Sequence, residues 1–257
     1  FAGLIIPVPF SFRPWTIYEI FAADAVTYLV AFAIIYRIKS LPVVDKVIDT
    51  DGLRQRVKTG FSFLSTHPLL LVFGNASLLI FLTIVVFGTY IQPAYVESFL
   101  HKGGEVYAFS DMAFSFGAVI AGFITTRLFA SKDTIGAIIA LAFIAGLMYV
   151  VMALSSLVAV FFAANFILGA CNSAVRIQRT TYIFHHIPNN VIGRASSVFF
   201  VMNVFMRLCL IAVFTLPFFH KGTNITYAVL GLAVACFAGA VVLGINYKRL
   251  VKEPVVI

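Results

Sequence analysis

The nineteen residues GAIIALAFIAGLMYVVMAL, Gly136 to Leu154, contain no charged side chain. An apolar run of that length matches the ~30 Å hydrocarbon layer of a bilayer, which an α-helix crosses in about 20 residues. Six further runs meet the same requirement: Pro14 to Tyr36, Leu69 to Tyr95, Val106 to Leu128, Leu157 to Val175, Ser196 to Pro217 and Ile225 to Tyr247; with Thr134 to Leu154 they make seven. Composition agrees. The chain is 61% hydrophobic and 11% charged, with 28 phenylalanines, whereas soluble domains average roughly 45–50% apolar and 25% charged. A transmembrane β-barrel is excluded, because barrel strands alternate polar and apolar residues and these runs are apolar on every face. The fold class is all-α, a polytopic membrane protein. The opening FAGLIIPVPF is too short to cross, and it lacks both a Met and the basic region of a signal peptide. It reads as the end of a helix in a fragment of a longer chain.

Basic residues set the orientation, since Lys and Arg accumulate in short cytoplasmic loops. With residues 37–66 placed inside, fourteen of the eighteen Lys and Arg fall on the cytoplasmic side and three outside, Arg207 remaining within a span. The C-terminus is then cytoplasmic. The net charge of +8 is accounted for by inner loops facing anionic lipid headgroups. No nucleic-acid motif is present. Within the long inner connection, DGLRQRVKTGFSFLSTHP spaces Leu53, Val57, Phe61 and Leu64 as one amphipathic stripe, predicting a helix on the inner membrane surface. Three regions follow: residues 1–36, a linker at 37–66, and a bundle of six spans at 67–257.

Six spans behind an amphipathic cytoplasmic linker resemble the second half of a major facilitator superfamily transporter. WTIYEIFAADAVTYLVAF, Trp15 to Phe32, is similar to the sixth helix of the drug and siderophore exporter branch, which includes the enterobactin exporter and macrolide efflux proteins. HIPNNVIGRASSVFF, His186 to Phe200, resembles that branch's turn between helices ten and eleven, and GFITTRLFASKDTIG its loop between helices eight and nine, with Thr126 standing where an aspartate is usual. The resemblance implies the second six-helix bundle plus one and a half helices of the first, and proton-coupled export of an amphipathic small molecule by alternating access. It further implies a monomer in the bacterial inner membrane, with a small-molecule substrate, protons and the lipid bilayer as partners. Import, and a membrane scaffold or membrane-embedded enzyme, are the alternatives.

Polar residues inside spans are where the chemistry is expected, because a charge at the bilayer centre costs at least a few kcal/mol unless it faces protein or water. Asn165, Gly169, Asn172, Arg176 and Arg179 fall within about 40° of one line along a helix. They either line a cavity or tie helices together and end the helix at the headgroups. Ser196, Asn203 and Arg207 repeat the pattern; Arg207 either pairs with an acid or contacts an anionic substrate. Asp111 shares a face with Ser115 and Gly122 and either pairs with Arg207, carries a proton, or tethers the outer start of its helix. The second span offers Asn75, Ser77, Thr83, Thr89 and Gln92 among Phe81, Tyr90 and other aromatics, and its GTYIQP end predicts an interruption of helical hydrogen bonding.

Two carboxylates, Glu19 and Asp24, lie in the first full span. Five residues apart, they point about 140° from one another and form no pair. Glu19 reaches the headgroups, while Asp24 lies about 15 Å in and is read as a structural polar tie between helices. The sequence contains no HExxH, GxSxG, CxxC or P-loop pattern, and Cys171, Cys209 and Cys236 stand singly in spans. Neither an enzyme, a cofactor nor a metal is expected.

Overall fold

The computed structural model describes residues 16–38, 53–128, 133–189 and 191–252. The partial first helix, the first half of the linker, part of the loop near Lys132 and the last five residues lie outside these. The chain divides into two compact units, Phe1–Thr50 and Asp51–Ile257. In the first, the described element is helix α1, Ile17–Arg37. Its two acids behave differently. Glu19 closes a capping box, its Oε2 accepting from the backbone N–H of Thr16 at 2.6 Å and from the Thr16 hydroxyl at 2.9 Å. A carboxylate there both fills orphan donors and complements the positive helix start. Asp24 is exposed within this unit, and its backbone carbonyl accepts from the Thr27 hydroxyl at 2.7 Å.

The second unit is a helical bundle. Its elements are α2 (Leu53–Thr66), α3 (Pro68–Val86), a π-helical turn (Phe87–Ile91), α4 (Gln92–Ser98), α5 (Gly104–Leu128), α6 (Thr134–Leu154), α7 (Val158–His186), α8 (Ile192–Phe214) and α9 (Ile225–Val251). Among the described residues, seven helical stretches are long and apolar enough to cross a membrane. Local signals account for several ends. Pro68 occupies the first turn of α3, where a missing N–H costs nothing. Asp133 caps α6 by accepting from the Ile135 N–H at 3.0 Å, and Lys248 and Arg249 sit in the last turn of α9. Helix α7 runs beyond Val175 to His186: hydropathy drops where Arg176, Gln178 and Arg179 enter, but these side chains favour helix. Helix α8 begins at Ile192 rather than Ser196, directly after the turn that Pro188 opens.

Helix α3 packs against α7, α8 and α9, while α5 packs on α7 and α6 on α9. Small residues permit the close approaches, as expected where no hydrophobic force separates helix from lipid. Gly117 and Gly169 bring α5 and α7 into backbone contact, and Gly239 brings α9 onto the Ala76 carbonyl of α3. Tyr95, fully buried, donates to the Met152 carbonyl at 2.7 Å and packs against Phe87 and Phe161. Exposed Phe116, Phe123, Phe143 and Phe205 face outward, as lipid-facing positions do. Helix α2 meets α8 through Gly60, which sits on the Arg194 carbonyl, and Leu64 is buried. Phe61, expected on the same stripe as Leu64, is exposed, whereas Gly60 and Leu64, four residues apart, are buried.

Candidate functional site

Helices α7 and α8 form two walls, and α3 the floor, of a cleft of about 360 Å³. Arg179 and Thr180 come from α7; Ser196, Phe199, Phe200, Asn203 and Arg207 from α8; Phe81 from α3. The α8 set follows from helical spacing, since offsets of 0, 3, 4, 7 and 11 residues from Ser196 fall on one side. Among the described residues, the lining contains two arginines and no carboxylate. Phe199 is locked by Gly74 of α3, whose missing Cβ leaves room for the ring. Asn203 is buried, and its Nδ2 has no hydrogen-bond partner among the described residues. Buried polar groups are nearly always paired; this shielded donor in the α8 wall is an exception.

A second, smaller cavity of about 190 Å³ lies among the π-helical turn, α4, α5, α6 and α7, lined by Thr89, Gln92, Asp111, Phe114, Tyr149 and Asn165 with others. Its geometry starts from Pro93. In the π-helical turn the Gln92 N–H bonds the Phe87 carbonyl five residues back. The next residue, Pro93, has no N–H to offer Gly88. The Tyr107 hydroxyl on α5 supplies that donor, at 3.3 Å from the Gly88 carbonyl. Gln92 Nε2 donates to Ser110 Oγ at 2.6 Å and to Asp111 Oδ1 at 3.1 Å, and Ser110 Oγ donates to the Tyr107 carbonyl at 2.6 Å. Asp111 is thus held to the interrupted helix through Gln92, and it lines a different cavity from Arg207.

The remaining predicted positions separate in the same way. Asn203 and Arg207 come together with Arg179; Arg176 is exposed beside them and Asn172 is half-buried, neither lining the cleft. Asn165 is buried, donates to the Phe161 carbonyl at 2.9 Å and shares the second cavity with Asp111. Thr83 is fully buried in the core, donating to the Ile80 carbonyl at 2.8 Å with Cys236 Sγ of α9 at 3.3 Å. Asn75 lies at the α3–α8 contact, donating to the Leu71 carbonyl at 2.8 Å and to Met202 Sδ at 3.8 Å. The aromatic walls Phe184, Phe199 and Phe200, and the Tyr107 and Ser110 partners, carry no signal in the sequence beyond helical offset, because an aromatic or hydroxyl residue in a span is ordinarily packing.

Comparison with curated proteins returns no match, and neither does comparison with solved structures. Residues 1–210 match the family model for the Major Facilitator Superfamily, a stretch that includes α1 to α7 and α8 as far as Leu210. With its all-α, multi-pass architecture, the chain belongs to the Major Facilitator Superfamily of membrane transporters.

Proposed function

We propose that the protein is a proton-coupled exporter of an amphipathic, anionic small molecule, a drug-like compound or a siderophore, that works by alternating access. It acts as a monomer in the bacterial inner membrane with its C-terminus in the cytoplasm. The observation that carries the reading is the pairing of Arg179 and Arg207 in one cleft whose described lining has no acid. An arginine inside a span is costly unless it is neutralised or hydrated. A substrate anion offsets that cost, and the aromatic walls take the apolar body. Asp111 is the proton carrier: its carboxylate sits in the second cavity, tied by Gln92 to the π-helical turn, so its charge bears on a segment whose hydrogen bonding is already interrupted. Rocking of two bundles about a midplane site then exposes the cleft to one side and the other. Asp24 is a polar tie between helices.

The test is substrate-dependent proton flux in proteoliposomes made with the full-length protein, using anionic and cationic amphipathic dyes. Wild type is expected to favour the anionic dye, Arg207→Gln to lose that preference, and Asp111→Asn to move dye without moving protons. Equal transport of cationic and anionic dyes by the wild type would remove the anion assignment, and unchanged flux in both variants would remove these residues from the mechanism.

A further inference from the structure

The two arginines of the cleft stand at different depths. Helices α7 and α8 run antiparallel from the turn after His186, so residue number gives height above that turn. At 1.5 Å per residue, Arg179 lies roughly 10 Å from the end of α7 and Arg207 roughly 22 Å from the start of α8, an offset of about 12 Å. On the same scale Phe199, Phe200 and Asn203 occupy roughly 10, 12 and 16 Å. The cleft is therefore a graded series: a cation about 10 Å above the turn, aromatic rings, a buried amide, and a second cation about 22 Å above the turn. A monoanion can neutralise one guanidinium and leaves the other unpaired. A bilayer phospholipid has its anionic group at one end, level with the headgroups, and leaves Arg207 unmet.

We infer that the cleft takes an elongated substrate with an acidic group at each end of a ring-bearing apolar body, one on Arg179 and one on Arg207, whose backbone positions are offset by about 12 Å along the helices. The inference rests on the cleft being the substrate site. Bidentate guanidinium–carboxylate pairing supplies the ends, and the phenylalanines supply stacking for the middle. Spacing, not charge alone, sets the selectivity.

Calorimetric titration of the purified full-length protein tests this with three probes: biphenyl bearing a carboxylate at each end, biphenyl bearing one carboxylate, and terephthalate, which holds two carboxylates on a single ring. The two-ended biphenyl is expected to bind at least tenfold tighter than either of the others. Arg179→Gln and Arg207→Gln should each abolish that advantage while leaving single-carboxylate binding measurable, and Arg179→Lys and Arg207→Lys should retain part of it, which separates lost pairing from lost folding. Equal binding of the one- and two-carboxylate biphenyls overturns the two-ended reading; if Arg207→Gln weakens both, the cleft stands as an anion site. A preference that survives both Gln variants, or no binding of any probe, also overturns it, and arginine-independent transport of the anionic dye would then remove the site assignment as well.

Discussion

Gly117 on α5 and Gly169 on α7 each sit against the other helix's backbone: a Cβ on Gly117 would land on the Phe166 carbonyl oxygen, and one on Gly169 on that of Phe114. The contact is reciprocal, so the two helices are set at a distance that only hydrogen side chains allow. Gly117→Ala or Gly169→Ala must push α5 from α7 and is expected to cost about 1–3 kcal/mol, read as a lower thermal midpoint in detergent. Once one substitution has separated the helices the second finds room, so the double variant should fall short of additivity. Additive losses would mean that the two contacts are independent.

Tyr107 stands in for the N–H that Pro93 lacks. Tyr107→Phe leaves the Gly88 carbonyl without that donor and should destabilise that end of the bundle by about 0.5–1.5 kcal/mol. Pro93→Ala restores a backbone donor next to the π-helical turn, so Tyr107→Phe should cost measurably less in the Pro93→Ala background. A double-mutant cycle on unfolding midpoints, with hydrogen exchange across residues 86–93, reads the coupling; a coupling of zero would break the link between the proline and the tyrosine.

Gly74→Ala places a methyl group on the Phe199 ring, and the ring's free direction is toward the cleft. The variant is expected to fold and reach the membrane but to raise the apparent KM for the transported anion several-fold, with kcat less affected. Gly74→Ala combined with Phe199→Leu, which makes space again, should recover part of the loss. An unchanged KM in Gly74→Ala would show that this part of the cleft is not occupied during transport.

The membrane class was legible in the sequence because a bilayer demands length and apolarity, both of which survive any packing arrangement. GAIIALAFIAGLMYVVMAL could be nothing but a buried or spanning helix, and α6 follows it from Thr134 to Leu154. What spacing could not tell is which neighbour a polar side chain meets. Thr83 and Asn203 look alike in the sequence, each a small polar residue in an apolar run, yet Thr83 points at Cys236 in the core and Asn203 at the cleft. Arg176 and Arg179 share a stripe, but three residues leave them about 60° apart, enough for one to line the cleft and the other to face out. The GTYIQP end was readable because Pro93 is a covalent fact about donors; its partner Tyr107, on another helix, was not. Glu19 reads from the sequence as reaching the headgroups, and the structure turns its carboxylate back onto Thr16, three residues earlier, as a capping box.

The transported anion is proposed to bind in the cleft between α7 and α8. Ser196 lines that cleft and is exposed in it, while Cys171 and Cys236 are buried and Cys209 is exposed elsewhere on α8. The most direct measurement is the rate at which a membrane-impermeant thiol reagent modifies Ser196→Cys in a Cys209→Ser background, with and without saturating anionic dye. The dye is predicted to slow modification at least fivefold, and to lose that protection when Arg207→Gln is added. An unchanged rate in protein that still transports the dye would contradict the claim.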